Sequence, residues 1–292
     1  MISVDSDAYA SYEQSGLQNV EFTTSPNAQG TVLDAWIESN ASNTAGDTIY
    51  WVKLPNGIGA DSSITIYMNF MPNSVMSSSG PTGEAPQLSS TYAEYDDGAS
   101  VFNFYDNFAG TSLNTNKWTS GYGSGGSITV NDGITVNGAS TYAYIITVNS
   151  FNPTSTIADI FVTSASNKWP VISMTNGNSA SSTGYFSLWE GVSAGFYYGS
   201  YSAGISGSGG YTWNYLAILS ENWQSSSQQI YGSNYIFTTE SYNTYTLPSS
   251  VYYGFGSVYT SQSGGAISVR WARVRAYPPN GVMPSVSFGS VA

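Results

Sequence analysis

The sequence predicts an all-β protein with two sandwich-type domains. Apolar and polar residues alternate repeatedly along the chain, and no window keeps apolar residues at helical spacing for three turns. Turn dipeptides such as Asn56-Gly57 and Asn137-Gly138 separate the alternating runs. Short strands divided in this way are typical of a β-sandwich or a β-barrel.

The first domain is predicted over residues 1–97. In the run ITIYMNF, one face of a predicted strand carries four apolar side chains, those of Ile64, Ile66, Met68 and Phe70. The alternation stops in residues 73–97, where prolines and serines replace it, and proline cannot donate a hydrogen bond within a central strand. We interpret this stretch as the connection between the domains.

The second domain is predicted over residues 98–277, and residues 278–292 form a tail that adds a last strand. The clearest hairpin is ITVNDGITV, in which residues 128–130 and 134–136 flank a turn. Gly133 in this turn can adopt a positive φ at no steric cost. The spacing therefore predicts two adjacent antiparallel strands here.

Composition excludes several kinds of chemistry. The 292 residues include 6 Lys or Arg and 18 Asp or Glu, for a formal net charge of −12, and there is no His and no Cys. Histidine-assisted nucleophiles, imidazole or thiolate metal sites and disulfides are therefore excluded. Six basic residues cannot neutralise a phosphate backbone, so nucleic acid is not an expected partner. No apolar run reaches the roughly 18 residues of a membrane span.

The remaining composition is neutral, polar and aromatic, with 24 Tyr, 12 Phe and 8 Trp in a background rich in Ser, Thr and Asn. Such surfaces are commonest in secreted proteins, so we expect an extracellular location at the cell surface. We also expect Met1 to start a segment trimmed from something longer. Few charges leave few ion pairs, which predicts a fold that survives to roughly pH 2.

Two stretches resemble known families. NVEFTTSPNAQGTVLDAWIESNASNTAGDTIYWVKLPNGIG, followed by SSITIYMNF, resembles the domain-of-unknown-function family 2341, with paired W-I-E and W-V-K strands. VFNFYDNFAGTSLNTNKW, over residues 101–118, is similar to the opening of a concanavalin A-like lectin/glucanase domain. RWARVRAYPPNGVMPSVSFG, over residues 270–289, is similar to the strand and tail that close such domains.

The resemblance implies a small β-sandwich followed by a concanavalin A-like jelly-roll sandwich, in an order found in archaeal surface proteins without an established activity. It also implies that Met1 lies inside a longer precursor. The residues between about Tyr142 and Tyr259 match no quotable motif, so the resemblance there concerns the fold alone.

Candidate catalytic carboxylates are few. Glucanases of the concanavalin-like class carry E-x-D-x-E on one strand, because period two puts the carboxylates on one face. The nearest approach is Glu94 and Asp96, in the predicted connection, and Glu190 and Glu221 are the other candidates because each lies near a Trp. We therefore expect no catalytic residue, no cofactor and no enzymatic activity.

Calcium could bind oxygen ligands, and four short acidic clusters are available around Asp5, Asp96, Asp106 and Asp132. None has the spacing of an EF-hand loop, so we expect no metal site. Asp106 lies inside the lectin-like stretch, and we expect it to accept hydrogen bonds within the sandwich.

Sugar recognition needs flat aromatic rings beside side chains that bind hydroxyl groups. The candidate carbohydrate-binding residues that combine the two are Trp189, Glu190, Trp213, Asn214, Asn222 and Trp223. Most Trp residues of the second domain, including Trp118 and Trp271, are expected in the core. Trp213 and Trp223 are the best candidates for exposure, because Gly- and Ser-rich sequence flanks them.

The closing strand carries half of the basic residues, Arg270, Arg273 and Arg275. Alternation puts Arg270 on the face opposite the core, and a shift at Ala272-Arg273 suggests a bulge there. We expect these arginines to pair with carboxylates of a neighbouring strand.

A possible modification site lies in the first domain. Asn40-Ala41-Ser42 is the one N-x-S/T sequon, and Asn40 is a glycosylation acceptor if the protein is secreted.

These observations predict an extracellular protein for recognition or adhesion, which binds glycans without catalysis. One alternative is a structural subunit of a surface filament, a surface layer or a virion. In that case a free strand over Val282–Val291 would add to the sheet edge of another copy. A second alternative is a glycoside hydrolase, which a cleft with two facing carboxylates would favour.

Overall fold

The computed structural model describes most of the chain, namely residues 1–26, 30–72, 97–153, 155–165, 171–175, 177–178, 184–189, 195–196, 215–219, 227–231, 237–241, 249–257, 265–276 and 283–290. These residues form twenty β-strands and two single-turn helices, so the predicted all-β class is confirmed. Contacts between Cα atoms divide the chain into unit 1, Met1–Asn103 with Pro279–Ala292, and unit 2, Phe104–Pro278.

The described part of unit 1 contains two three-stranded antiparallel sheets. In chain order the strands are β1 (Ile2–Val4), β2 (Val20–Thr23), β3 (Val32–Leu33), β4 (Ala35–Ser39), β5 (Thr48–Val52) and β6 (Tyr67–Phe70). One sheet has the order β1-β5-β4 and the other β3-β2-β6. A 3-10 helix spans Ser6–Tyr9, and helix α1 spans Gly98–Val101.

The core of unit 1 comes from the inward-facing residues of both sheets. Trp36 in β4 lies opposite Trp51 in β5, which is the pairing expected for the W-I-E and W-V-K strands. The buried apolar cluster consists of Val4, Leu17, Val20, Phe22, Leu33, Ala35, Ile37 and Tyr50. The strand predicted from Ile64 begins only at Tyr67, where pairing with β2 starts.

Fourteen strands of unit 2 are described. They are β7 (Phe104–Asp106), β8 (Trp118–Tyr122), β9 (Ser127–Val130), β10 (Ile134–Asn137), β11 (Ala143–Thr147), β12 (Thr156–Ala165), β13 (Val171–Thr175), β14 (Gly184–Trp189), β15 (Gly195–Phe196), β16 (Tyr215–Leu219), β17 (Ser227–Tyr231), β18 (Phe237–Ser241), β19 (Tyr252–Ser257) and β20 (Ala266–Ala276).

These strands form a two-sheet sandwich. The larger sheet has the order β18-β17-β16-β12-β20-β10-β9, with β7 also paired to β20, and the smaller has the order β15-β14-β13-β19-β11-β8. One apolar cluster draws alternate residues from both sheets, such as Val136 and Val269 from the larger and Ile145 and Phe255 from the smaller. Burial of these two inner faces stabilises the sandwich.

The predicted hairpin is confirmed as β9 and β10. Ile134 pairs with Val130 and Val136 with Ile128, so Asn131, Asp132 and Gly133 form the turn. Asp132 and Gly133 both have positive φ, at 47° and 133°. Glycine fits this turn because a side chain at φ 133° would be strained.

Two expectations about the closing region need correction. The bulge lies at Arg270, where the register with β12 shifts between Trp271 and Val269, and not at Ala272-Arg273. Residues 283–290 form no strand in the described part of the chain, so this part of the tail does not add the strand predicted over residues 278–292. Val286 and Phe288 in this segment are 48% and 57% exposed.

No helix within the described ranges is long and apolar enough to span a lipid bilayer.

Candidate functional site

The carbohydrate-binding residues predicted from sequence lie beyond what the structure describes. Glu190, Trp213, Asn214, Asn222 and Trp223 are outside the described residues. Trp189 ends β14, but its side chain is not among those described. Their assignment therefore stays a prediction. Glu94, Asp96 and Glu221 are also outside the described part of the chain.

The arginines of β20 behave as predicted. Arg270 lies on the exposed face, whereas Arg273 and Arg275 are buried and lie across from β12. The Nε atoms of Arg273 and Arg275 donate to the same oxygen, Asp159 Oδ2, at 2.6 Å and 2.7 Å. Pairing with a carboxylate of a neighbouring strand is thus confirmed for these two arginines.

Aromatic rings complete this cluster on the outer face of the larger sheet. The Arg273 guanidinium lies 4.8 Å from the ring centroid of Trp271, within the range of a cation–π contact. The ring of Phe161 in β12 lies 5.5 Å from that of Trp271. Asp159, Trp271 and Arg273 are at most 1% exposed, so a ligand cannot reach them in this state. The cluster is structural.

Asp106 also has the structural role expected of it. Its Oδ1 accepts a hydrogen bond from the backbone N–H of Phe108 at 3.0 Å, and its Oδ2 accepts one from Trp118 Nε1 at 2.6 Å. Lys117 Nζ lies 3.9 Å from Oδ1. No group of three or more His, Cys, Asp or Glu side chains that could hold a metal ion occurs in the described residues.

Three tyrosines lie at one edge of the smaller sheet, where Tyr142 is half-buried and Tyr144 is buried at 6% exposure. Among the described strands β8 pairs only with β11, so β8 is an edge strand. The rings of Tyr142 and Tyr144 stack at 6.1 Å with an angle of 22° between their planes. Tyr122, at the end of β8, is 58% exposed. We call these three residues the edge tyrosines.

Gly121 in β8 and Gly123 just after it make room for the rings of Tyr142 and Tyr144. Tyr144 lies opposite Gly121, and a Cβ atom there would be 2.8 Å from the tyrosine oxygen. A Cβ atom at Gly123 would be 3.1 Å from Cε1 of Tyr142. Tyr122 follows Gly121 in β8, and successive side chains of a strand point to opposite faces of the sheet. The Tyr122 side chain therefore points to the face opposite that of Tyr144. Tyrosine rings therefore flank both faces of this edge.

The edge tyrosines lie in a neutral part of the chain. From Trp118 to Ala158 the sequence contains one charged residue, Asp132, amid many Ser, Thr and Gly residues. These tyrosines are not among the residues predicted from sequence, each of which is a Trp or the Asn or Glu next to it. The sequence does contain a signal for this surface. The G-Y-G run at residues 121–123 and the T-Y-A-Y run at residues 141–144 each place tyrosines among small residues.

Asn40 lies where a glycosylation acceptor would have to lie, but its side chain is engaged. The residue is exposed with φ 59°, just after β4. Its Nδ2 donates to Asp47 Oδ1 at 2.7 Å, and its carbonyl accepts a hydrogen bond from the Thr48 hydroxyl. Glycosylation at Asn40 stays a prediction.

Unit 1 also contains two buried carboxyl groups that sequence analysis did not single out. Glu13 is 4% exposed, and burial raises its pKa to about 7, although the nearby Ser6 hydroxyl lowers it somewhat. Burial also raises the pKa of Glu21. Tyr50 faces Glu13, and burial together with that carboxyl group raises the pKa of its phenol.

Comparison with known proteins gives few sequence relatives. No family model matches the chain, so its resemblance to the domain-of-unknown-function family 2341 has no support. A protein named uncharacterized protein 562, from Sulfolobus islandicus rod-shaped virus 1, is 46% identical over 93 residues. The match covers 32% of this chain and spans 16% of the length of the viral protein.

Solved structures with a similar fold are lectins and glucanases. The endo-β-1,3-glucanase from Pyrococcus furiosus is 11% identical over 60% of this chain and 93% of its own, with a TM-score of 0.40. The laminarinase catalytic domain from Thermotoga petrophila is 10% identical over 59% and 96%, with a TM-score of 0.41. The seed lectin of Lotus tetragonolobus is 8% identical over 59% and 97%, with a TM-score of 0.43.

Unit 2 forms the two-sheet sandwich that the second stretch of resemblance implied. The prediction that the chain is not an enzyme is wrong as a conclusion from sequence, because several of the similar solved structures are endo-1,3-glucanases. The absence of an E-x-D-x-E strand does not by itself exclude a pair of catalytic carboxylates. Carboxylates can meet in space from different strands, and Glu190 and Glu221 lie outside the described residues.

Proposed function

We propose that this chain is an extracellular recognition protein and that unit 2 binds carbohydrate. The observation that carries the proposal is the set of edge tyrosines, with Tyr122 58% exposed and Tyr142 stacked on Tyr144. A sugar ring has an apolar face that packs on an aromatic ring and hydroxyl groups that need hydrogen-bond partners. A tyrosine supplies both, because its ring is apolar and its hydroxyl is polar.

The surroundings of the edge tyrosines suit an uncharged ligand. Thr119, Ser120, Ser124 and Thr141 supply hydroxyl groups near β8, and charged side chains are nearly absent from this stretch of sequence. A neutral glycan loses little hydration energy against such a surface, whereas a charged ligand would lack a counter-charge. The backbone at the edge is also fixed, since the Gly123 N–H donates to the Tyr142 carbonyl at 2.8 Å.

The carbohydrate-binding residues predicted from sequence are a second candidate for the binding surface of unit 2. Trp213 and Trp223 supply larger rings than tyrosine, and Asn214 and Asn222 supply amide groups next to them. Trp189 and Glu190 form the third pair. Comparison of tyrosine and tryptophan variants in one glycan-binding assay distinguishes this set from the edge tyrosines.

A glycan array probed with the full chain tests the proposal, followed by titration of any glycan that binds. Tyr122→Ala and Tyr142→Ala should each weaken binding roughly fivefold or more, by analogy with the stacking of bases on aromatic rings. Tyr12→Ala is the matched control, because Tyr12 is an exposed tyrosine of unit 1. Analysis of the incubated glycan for shorter products measures hydrolysis separately from binding.

If no glycan binds, the proposal is wrong. If binding is lost in Trp213→Ala or Trp223→Ala and kept in both tyrosine variants, the edge tyrosines are not the site and the sequence-based residues are. Melting curves of each variant must match the parent for either conclusion to hold.

We infer a second candidate function, a structural component of a surface assembly or virion. Two observations favour it: a relative over 93 residues comes from a rod-shaped virus, and residues 283–290 pair with no described strand. Apolar residues recur at every second position in this segment, at Pro284, Val286 and Phe288. A segment with this alternation can add as a strand to a sheet edge of another copy.

Light scattering coupled to size-exclusion chromatography tests assembly. The full chain should form concentration-dependent oligomers, and the double variant Val286→Asp/Phe288→Asp should not. A monomer at every concentration up to the highest soluble one would exclude assembly through the tail. Carbohydrate binding would be unaffected by that result.

A further inference from the structure

A buried polar cluster in unit 1 has no part in the proposed recognition. It consists of Ser6 in the 3-10 helix, Glu13 in the loop after that helix, and Thr48 and Tyr50 in β5. All four residues are at most 4% exposed. Separate segments of the chain therefore direct polar atoms to one place inside unit 1.

Three atoms of the cluster have no hydrogen-bond partner among the described residues: Glu13 Oε1, Glu13 Oε2 and the hydroxyl oxygen of Tyr50. Buried polar atoms are nearly always bonded to something, so three such atoms in one place need an explanation. The Thr48 hydroxyl, by contrast, lies 3.0 Å from Ser6 Oγ and 2.8 Å from the Asn40 carbonyl.

The Ser6 hydroxyl connects Glu13 and Tyr50 within the cluster. Ser6 lowers the pKa of both Glu13 and Tyr50, so its hydroxyl lies close to both. None of these contacts completes a well-formed hydrogen bond to the Glu13 oxygens or to the Tyr50 hydroxyl oxygen among the described residues.

No side chain is available to neutralise Glu13. Lys53 is the one basic residue in the sequence of unit 1, and it lies 3.9 Å from Asp34 and donates to the Ser100 carbonyl. A buried carboxylate without a positive partner is strongly destabilising. A proton on Glu13 would remove the charge and allow one Glu13 oxygen to donate to the Tyr50 hydroxyl, but the second Glu13 oxygen would keep no partner.

A hard cation meets all these requirements at once. Carboxylate, phenol and hydroxyl oxygens are the donors that hard cations prefer. A single carboxylate balances a single positive charge, whereas a divalent ion would leave a net charge buried. Glu13, Tyr50 and Ser6 together offer four oxygen atoms to such an ion.

We propose that Glu13, Tyr50 and Ser6 hold one monovalent hard cation of the sodium type, which links the 3-10 helix and the following loop to β5. The ion binds only the folded state, because the three residues lie on separate segments that come together on folding. It therefore stabilises unit 1 in proportion to the logarithm of its concentration.

Thermal melting of the full chain at pH 8.5 tests the proposal. Sodium chloride is exchanged for tetramethylammonium chloride at constant ionic strength, since tetramethylammonium is too large for a site of this kind. Raising sodium from 1 to 150 mM should raise the midpoint by roughly 3 °C or more. Line broadening of sodium-23 in nuclear magnetic resonance at 25 °C should report the same site in the native chain.

Three nearly isosteric variants locate the site. Glu13→Gln should abolish the sodium response of both measurements, and Tyr50→Phe should weaken it. Glu21→Gln is the matched control, because Glu21 is equally buried but lies in β2, and it should keep the full response. Equal midpoints in the two salts, no sodium-23 broadening, or a full response in Glu13→Gln would each overturn the proposal.

Discussion

Asp159 and Arg273 pair across the two central strands of the larger sheet, and both side chains are fully buried, at 0% and 1% exposure. Arg273 Nε lies 2.6 Å from Asp159 Oδ2, and Arg275 Nε lies 2.7 Å from the same oxygen. One carboxylate thus fixes two guanidinium groups on the same face of β20. The pair holds β12 and β20 in register beside the bulge at Arg270.

Replacement of Asp159 should therefore be costly. Asp159→Asn leaves two buried guanidinium groups without their shared carboxylate, and loss of one member of a buried ion cluster typically costs about 3–5 kcal/mol. Urea unfolding measures the change. Asp34→Asn is the control, because the Lys53–Asp34 pair is exposed and should cost at most about 1 kcal/mol. Equal losses in the two variants would show that the buried cluster is not stabilising.

Gly256 should be irreplaceable in β19. Its φ is 124°, and a Cβ atom there would lie 2.3 Å from the Ala143 carbonyl oxygen. Gly256→Ala should therefore destabilise the chain by more than about 2 kcal/mol. At Gly57 a Cβ atom meets nothing within 4 Å, so Gly57→Ala should be neutral or slightly stabilising. Melting of the two variants side by side checks the contrast.

The sequence predicted those features that depend on local pattern. Alternation identified the β9–β10 hairpin, whereas the pairing of β4 with β5 was implied only by the resemblance that carried the two Trp-containing runs. The three arginines of β20 indicated a carboxylate partner but not which one, because Asp159 lies 114 residues before Arg273. Partners at such separations are chosen by sheet order, which local pattern does not encode.

The candidate sites were harder to predict for a physical reason. Glu13 lies in a loop without periodicity, so its burial depends on packing against β5, which the sequence does not reveal. The edge tyrosines depend on glycines of the neighbouring strand, and that pairing is also a tertiary feature. The tail showed the opposite problem: its alternation is regular, but residues 283–290 have no strand to pair with.

Survival in acid remains a prediction, and the ion pairs give it a physical basis. The chain has six basic residues, and ion pairs among the described residues include those of Asp34, Asp106 and Asp159. So few basic residues limit the stabilisation that protonation can remove, and the buried Asp159 cluster accounts for most of it. The melting midpoint at pH 2 should lie within roughly 20 °C of that at pH 7. A larger drop would mean that these few pairs dominate the stability.

Glu13 should make the folded state less stable as the pH rises above 5, which is opposite to the effect of the ion-paired carboxylates. Its pKa is about 7 when folded and 4.5 as an ordinary glutamate, so the folded state binds the proton more tightly. The resulting stabilisation is complete below pH 4.5 and is lost as the pH rises through 7. A rise in the Glu13 pKa from 4.5 to about 7 on folding corresponds to about 3 kcal/mol in the free energy of unfolding. Glu21 acts in the same direction, because burial raises its pKa too.

Urea unfolding in a sodium-free buffer should therefore show lower stability at pH 8.5 than at pH 5. Glu13→Gln should remove most of this difference, because glutamine has no proton to lose, and Glu21→Gln should remove a smaller part. The absence of sodium matters, since a bound cation would compete with the proton for the same carboxyl group. Stability that rises between pH 5 and pH 8.5 in the parent chain would mean that Glu13 is ionised and paired in the folded state, contrary to its burial among neutral groups.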